Sequence, residues 1–210
     1  MNRMDEKKQN AKQTIPEMLA LIQDTQRRDA ILALYQKVEK WMDEYPAAVR
    51  HHHWWAGGYR DHVEQVMNNA LALYDHLKQQ EADYGLTGKI DFDLDSLIIC
   101  AFLHDFDKIG RYRKTDFSKD KWKKNRMPFE YNGETYAVEE SATVVARAAK
   151  DGLHLTDYEI HALSLAHGGW SDIMQRNFQP KMHPLAVVLH CADLLSGHIM
   201  GQRQPEANHS

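Results

Sequence analysis

The sequence lacks any long hydrophobic run and contains little cysteine. No apolar stretch approaches the roughly 18–20 residues that a helix needs to cross a bilayer, so no membrane span is predicted. The only two cysteines, Cys100 and Cys191, lie in apolar runs, which excludes a disulfide-stapled scaffold and indicates packed, reduced thiols. The first residues, MNRMDEKKQNAKQ, lack the apolar core of a secretory signal. We therefore expect a cytoplasmic protein.

Histidine, in contrast, is abundant, because the 210 residues include 13 of them and no terminal run accounts for the number. Histidine is the commonest metal ligand and the side chain that titrates closest to neutral pH. The composition alone therefore directs attention to a metal site.

The net charge of −4 conceals a basic segment on an acidic chain. Residues 111–126 (RYRKTDFSKDKWKKNR) contain eight Lys or Arg and two Asp, which leaves 18 basic and 28 acidic residues elsewhere. Because of this acidic remainder, a nucleic-acid partner is neither excluded nor favoured. The segment is interpreted either as a local phosphate clamp or as a solvated polar loop.

Apolar residues recur at helical spacing along most of the chain. Two capping boxes, Thr14-Ile-Pro-Glu17 and Thr156-Asp-Tyr-Glu159, predict helix starts near residues 15 and 156. The full set of predicted helices is 15–46 with a break or bend near 24–25, 59–82, 94–109, 137–150, 156–167 and 184–200. The segment 111–135 has no clear period and is interpreted as a long loop with room for a short hairpin. The predicted fold class is all-α.

Histidine and aspartate occur beside apolar residues on four separate predicted helices. His104-Asp105 ends the most apolar one, and burying an imidazole and a carboxylate next to IICAFL is costly unless something pairs with them. A divalent metal is such a partner. The other three positions are His62 after a Gly-Gly pair, His167 before another, and Asp193 within LHCADLL. Four independent accidents of this kind are improbable, so we hypothesise one shared metal site.

The order GGYRDH, LHDFDK, AHGG and LHCAD, over about residues 50–197, resembles the HD-domain superfamily of metal-dependent phosphohydrolases. That family has a histidine, a distant His-Asp dipeptide and a later aspartate that bind one metal inside a helical bundle. Carried over by position, the resemblance implies four metal ligands, His62, His104, Asp105 and Asp193. It also implies a site role for Lys108, expected one helical turn after His104 on the same face, and contact of His167 with a second metal or a substrate phosphate.

The implied architecture is an HD-domain helical bundle over residues 50–200. An N-terminal helical extension, residues 1–49, is expected to pack on it, and residues 201–210 are expected to form a polar tail. The sequence departs from the family in two places. Phe106-Asp107 replaces the usual Leu-Gly after the dipeptide and adds a carboxylate. Where two-metal members carry another histidine, this chain has Glu139 and Glu140, so a second metal is left open.

The resemblance implies phosphate chemistry at a divalent cation, with Mn²⁺, Fe²⁺, Co²⁺, Ni²⁺, Mg²⁺ or Zn²⁺ all compatible with the ligands. Asp105 and Lys108 are expected to act in catalysis, with Glu140 or Asp107 as a general base. The residues predicted to contact substrate are Arg111, Arg113, Lys114, His167 and one of His51–His53, with His53 chosen. Guanidinium groups bind phosphates in bidentate fashion.

The predicted function is hydrolysis of a phosphate ester or anhydride bond in a nucleotide or related phosphorylated small molecule, by a protein that could form homo-oligomers. Two alternatives stay open. One is an HD-fold di-iron oxygenase, and the other is a catalytically silent nucleotide-binding sensor.

Overall fold

The computed structural model describes residues 12–118, 127–134, 139–168 and 182–201. Within these ranges the α-helices are α1 Ile15–Leu19, α2 Thr25–Glu44, α3 Gly58–Asp83, α4 Leu94–Leu103, α5 Glu140–Lys150, α6 Asp157–Leu165 and α7 Pro184–Leu194. A 3₁₀ turn spans Phe106–Lys108, a π-helix spans Leu195–Met200, and strands β1 Tyr112–Lys114 and β2 Phe129–Tyr131 form a small sheet. The chain is mostly helical, as the all-α prediction requires.

Polar capping residues begin the helices near the predicted positions. Thr14 and Thr156 both form the predicted capping boxes at the starts of α1 and α6. Asp24 accepts a hydrogen bond from the backbone N–H of Arg27 and so begins α2, which explains the predicted break near residues 24–25. The prediction from local sequence signals is confirmed at these three points.

Helix α4 lies at the centre of the helical packing and contacts α1, α3, α6 and α7. Every residue from Ser96 to Leu103 in this helix is buried, as its all-round apolar sequence predicts. Helices α3 and α7 pack against each other, and α6 packs on α7. The C-terminal ends of α4 and α7 and the N-terminal part of α3 meet inside one bundle.

The prediction that this helix continues to residue 109 is wrong. The α-helix ends at Leu103, and Asp105 has a non-helical backbone with φ −110° and ψ 15°. Long-range hydrogen bonds stabilise the departure, because Tyr59 Oη donates to the Asp105 carbonyl at 3.0 Å and Arg147 donates to the carbonyls of Phe106 and Ile109 at 2.5 and 3.1 Å. Lys108 is consequently not one helical turn from His104.

Two further predicted helices have different ends in the structure. Helix α5 begins at Glu140 with Glu139 as its cap, and residues 135–138, which include the predicted start, lie outside the described residues. The last predicted helix, 184–200, is α-helical only to Leu194 and continues as the π-helix. π-helical segments are rare and are frequent at functional sites.

The short hairpin allowed for in the predicted loop is present. Tyr112 pairs with Tyr131 and Lys114 with Phe129 in antiparallel register. Tyr112 and Phe129 are buried and form a small apolar cluster with Val49, separate from the main core. Residues 119–126, which hold much of the basic segment, lie outside the described residues.

The N-terminal helices contribute to the main core. Apolar side chains of α1 and α2, including Ile15, Met18 and Leu34, belong to the same buried cluster as those of α3 and α4. The segment interpreted as an N-terminal extension is thus packed on the remaining helices. Residues 202–210 of the predicted tail lie outside the described residues. In the part of the chain that the structure describes, no helix is both long and apolar enough to span a membrane.

Candidate metal centre

The loop before α3 brings His62 to the centre of the bundle. Gly57 has φ 79°, which favours glycine, and it caps the helix. At Gly58 a Cβ atom would lie 2.1 Å from the carbonyl oxygen of His53, so a side chain cannot be accommodated there. The Gly-Gly pair therefore allows close approach of the preceding loop, and His62, one turn into the helix, is fully buried.

Four side chains from three parts of the bundle, namely α3, the end of α4 and α7, converge on one point. His62 Nε2 lies 3.1 Å from His104 Nε2, 3.2 Å from Asp105 Oδ2 and 3.3 Å from Asp193 Oδ1. His104 Nε2 lies 3.7 Å from each of the same two carboxylate oxygens. We call these four residues the ligand cluster. They are the four that the sequence analysis predicted as metal ligands, and the structure brings them together.

Hydrogen bonds on the far sides of the imidazoles fix which nitrogens face the cluster. His104 Nδ1 lies 2.8 Å from the carbonyl oxygen of Ala101, which can only accept, so Nδ1 carries the proton. His62 Nδ1 lies 3.0 Å from Ser196 Oγ, whose own proton is donated to Gln65 Oε1 at 2.9 Å. His62 Nδ1 is therefore also a donor. In the neutral rings both Nε2 atoms present lone pairs to each other and to the carboxylates.

This donor set fits a divalent cation. A cation about 2.1 Å from each ligand atom separates neighbouring ligand atoms by about 3.0 Å in an octahedral shell and about 3.4 Å in a tetrahedral one. The five separations, 3.1–3.7 Å, all lie at or within a few tenths of an ångström of these values. His62, His104 and Asp105 are all buried and form a group with the spacing of metal ligands. Mixed imidazole and carboxylate ligands are compatible with several divalent metals.

Without a cation, the cluster needs a proton. Burial works against a charged imidazolium at His62, but its hydrogen bonds to Asp105 and Asp193 outweigh burial and raise its pKa. Burial lowers the pKa of His104 to about 4. Burial also opposes the charge of Asp105, yet Lys108 and the two imidazoles hold its pKa well below the ordinary value. In the metal-free cluster, a proton is thus favoured on His62 and disfavoured on His104, and the pKa values of Asp105 and Asp193 are both lowered.

The two carboxylate oxygens of Asp105 have different surroundings. Its Oδ2 accepts from Lys108 Nζ at 2.6 Å and faces the imidazoles, whereas its buried Oδ1 has no hydrogen-bond donor among the described residues. The nearest charged partner of Oδ1 is His167 Nε2 at 3.4 Å. The charge of Asp105 also raises the pKa of Lys108, although burial opposes this. Lys108, for which the sequence predicts a site role, thus contacts a predicted ligand directly.

Two predicted residues border the cluster on its outer side. His167 Nδ1 lies 3.4 Å from Asp193 Oδ2, and its Nε2 lies 3.8 Å from Glu140 Oε2. Burial lowers the pKa of His167, but Asp193 and Asp105 outweigh it and raise the value to about 8. Glu139 accepts hydrogen bonds from the backbone of α5, so only Glu140 of the two glutamates faces the site.

Of the three basic residues predicted to contact substrate, Arg111 lies at the site, and Arg113 and Lys114 lie away from it. Arg111 is ion-paired with Asp107 and lies 3.3 Å from Glu140 Oε1. Arg113 instead pairs across the hairpin with Glu130 at 2.9 Å, and Lys114 lies 3.6 Å from Glu44. Both of these side chains are more than half exposed, and among the described residues their ion pairs lie outside the ligand cluster.

The histidine run before the Gly-Gly pair is arranged differently from the prediction. His53 was chosen as a phosphate contact, but it has no exposed surface and hydrogen bonds at both ring nitrogens, to His52 and to Gln65 at 3.0 Å each. This arrangement argues against a direct phosphate contact. The neighbouring His52 is half-buried, and the centre of its ring lies 4.9 Å from that of His62. Burial lowers the pKa of His52 to about 3 and that of His53 to about 4.

The residues that hydrogen-bond to the ligand residues on the side away from the ligand cluster were not predicted from the sequence. Ser196, Gln65, Tyr59 and Arg147 hold the imidazole of His62 and the turn around Asp105 through the hydrogen bonds described above. Gln65 and Ser196 carry no local motif. A signal for Gln65 was its position one turn after His62 on the same helix face.

Comparison of the chain with protein-family models, curated proteins and solved structures found no match in any of the three.

Proposed function

We propose that this chain is an HD-type metal-dependent phosphohydrolase that cleaves an ester or anhydride bond in a nucleotide or a related phosphorylated small molecule. One observation carries the proposal. The Nε2 atoms of His62 and His104 lie 3.1 Å apart, each of them lies 3.2–3.7 Å from one oxygen of Asp105 and one of Asp193, and the partly buried Lys108 pairs with Asp105. This is a donor set for a divalent cation next to a fixed positive charge.

In this proposal His62, His104, Asp105 and Asp193 hold the cation. A cation bound there supplies a Lewis acid for cleavage at phosphorus. A further cation would find Asp105 Oδ1 and Glu140 Oε2, which lie 3.4 and 3.8 Å from His167 Nε2. Glutamate provides an oxygen ligand where two-metal members of the family use histidine, so the number of cations is left to experiment.

The remaining residues bind and orient the substrate. Lys108, held by Asp105, offers its remaining N–H donors to a phosphate oxygen. His167, which lies 3.4 Å from both Asp105 Oδ1 and Asp193 Oδ2, offers a ring nitrogen at the same site. Arg111 supplies a planar guanidinium at the rim, and Glu140 beside it is about half exposed, as a group that accepts a proton from water must be.

The test is metal removal followed by add-back. The stripped protein is assayed for phosphate release from a panel of nucleotides, with Mn²⁺, Co²⁺, Ni²⁺, Fe²⁺ or Mg²⁺ restored one at a time. We expect release that depends on at least one cation and is lost in Asp105→Ala. Equal release by the variant, or no release from any substrate, contradicts the proposal.

The same assay separates the alternatives. Tight nucleotide binding without turnover favours the sensor, and a mixed-valent iron signal in the purified protein favours the di-iron oxygenase. The nucleotide substrate, the cytoplasmic location and a homo-oligomeric state stay predictions.

A further inference from the structure

A continuous chain of hydrogen bonds runs from the ligand cluster back to the loop before α3. It begins at His62 Nδ1, passes through Ser196 Oγ at 3.0 Å and Gln65 Oε1 at 2.9 Å, and reaches His53 Nε2 at 3.0 Å. His52 Nδ1 extends it by a further 3.0 Å to His53 Nδ1. The chain links α3, the π-helix and the loop.

The direction of each bond follows from the chemistry of Gln65 Oε1, which can only accept. Ser196 donates its single hydroxyl proton to this oxygen, so Ser196 Oγ must accept the proton on His62 Nδ1. His53 donates to the same oxygen through Nε2–H. The amide oxygen of Gln65 therefore accepts hydrogen bonds from both Ser196 and His53. Because Ser196 donates its proton to Gln65, it must accept from His62 Nδ1, and the Nε2 lone pair of a neutral His62 then faces the ligand cluster.

The backbone around His53 is held in a conformation that side chains seldom adopt. His53 has φ 48°, in the left-handed region. Its N–H donates to the Gly201 carbonyl at 3.1 Å, its own carbonyl accepts from the Ala47 N–H at 3.0 Å, and Gly58 packs against that carbonyl. Strained residues persist where their surroundings over-determine them, and they concentrate at functional sites.

We propose that Ser196, Gln65 and His53 are positioning residues that fix the tautomer of His62 and thereby set the affinity of the site for its cation. The inference rests on the metal-binding part of the proposed function. It extends that function, because it assigns roles to three residues that contact neither cation nor substrate.

The test compares Ser196→Ala with Ser96→Ala in the full-length protein. Ser96 is a matched control, because it is also fully buried in a helix, and its hydroxyl lies 3.1 Å from Tyr158 Oη. Affinity for Mn²⁺ and Zn²⁺ is measured by calorimetry or chelator competition, and the melting temperature is measured without metal. We expect both variants to melt somewhat earlier. Only Ser196→Ala should lose affinity, by about 10- to 100-fold, as removal of such supporting hydrogen bonds typically does.

A second pair of variants separates the hydrogen bond from packing. Gln65→Leu removes the accepting oxygen and should weaken cation binding in the same way as Ser196→Ala. Gln65→Glu keeps an accepting oxygen and should bind the cation at least as tightly as the wild type. Equal losses in Gln65→Leu and Gln65→Glu overturn the proposal.

The tautomer itself is read in the metal-free protein from the ¹⁵N shifts of the His62 ring, at a pH where the ring is neutral. The wild type should show the proton on Nδ1, and Ser196→Ala should show a mixture of tautomers. An unchanged tautomer overturns the inference and leaves the proposed function intact. If instead the wild type binds no cation, the proposed function fails, and the tautomer measurement still reports whether Ser196 positions the ring.

Discussion

Two buried carboxylates in this protein have opposite environments. Asp105 and Glu159 are both fully buried. Glu159 accepts from Arg27 at 2.6 Å on one oxygen and from the backbone N–H of Thr156 at 2.7 Å on the other. Asp105 has Lys108 on one oxygen and, within the described residues, no hydrogen-bond donor on the other.

The hydrogen-bond partners of these two buried carboxylates indicate different roles. Glu159 connects α2 to the start of α6, and each of its oxygens has a donor, so this carboxylate is satisfied as it stands. Asp105 lies in a group where lone pairs outnumber protons, because two imidazoles and two carboxylates face one another. A buried polar group without a partner is costly. Such a cost at one carboxylate and not at the other supports the proposal that the ligand cluster, and not the site of Glu159, holds a cation.

The largest expected effect comes from neutralising each carboxylate in turn. Asp105→Asn should weaken cation binding by at least about 100-fold, since it removes a ligand, whereas loss of supporting contacts alone costs about 10- to 100-fold. Glu159→Gln should leave cation affinity unchanged and lower the free energy of unfolding by about 3 kcal/mol, because Arg27 stays largely buried without its charge partner. Calorimetry with Mn²⁺ and urea unfolding measure the two quantities.

Each variant is the control for the other. Both should reduce stability without metal, since Asp105 also pairs with Lys108, so the cation affinity is the discriminating quantity. The different roles assigned to the two carboxylates are contradicted if Glu159→Gln weakens cation binding as much as Asp105→Asn does, or if Asp105→Asn binds the cation normally.

A smaller effect is expected from pH, because a proton and a cation compete for the ligand cluster. The raised pKa of His62 means that a cation must displace a proton, so affinity should rise with pH by up to about tenfold per unit while His62 is protonated, and then level off. His62 and His167 bind protons more tightly folded than unfolded. Their contribution to metal-free stability is therefore complete below about pH 6.5 and lost as pH rises through the folded pKa, about 8 for His167.

The measurement is a set of thermal melts from about pH 6 to about pH 9, a window that covers the pKa of about 8 at His167, with and without saturating Zn²⁺ or Mn²⁺. The melting temperature without metal should fall across this window, and the gain on adding metal should grow. A metal-induced gain that is constant or shrinks as pH rises would mean that no cluster proton is displaced. Glu159→Gln should follow the wild-type profile.

Much of the site was predictable because its signals are local. An imidazole or carboxylate beside an apolar run reveals itself in the sequence, and helical spacing places His62, His104 and Asp193 on inward faces. Capping boxes such as the one at Thr156 involve residues three positions apart, so they are equally visible. These signals need no knowledge of which helices become neighbours.

The parts that could not be predicted depend on contacts between distant segments. The end of α4 at Leu103 is stabilised by Tyr59 and Arg147, each more than 40 residues away in sequence. Ser196 supports His62 across 134 residues and looks like any helical serine in the sequence. Arg111 and Arg113 were treated alike, because the strand pairing that separates them is formed with residues 129–131.

The smallest expected effect tests whether Asp107 is a structural carboxylate like Glu159 or belongs to the candidate site like Asp105. It is buried like Asp105 and Glu159, it is ion-paired with Arg111, and its Oδ1 has no donor among the described residues. Burial and the charge of Asp105 raise the pKa of Asp107 to about 7, so Asp107 can become neutral at low cost when Arg111 is removed.

Arg111→Ala should therefore lower the free energy of unfolding by only about 1 kcal/mol. It should raise KM for a nucleoside triphosphate about tenfold, the value of one charge-assisted hydrogen bond. Arg113→Ala, two residues further along the chain in β1 and paired with the partly exposed Glu130, is the matched control and should change neither quantity. Loss of stability with an unchanged KM in Arg111→Ala would group Asp107 with Glu159 as a structural carboxylate, whereas a raised KM at nearly constant stability would group it with Asp105.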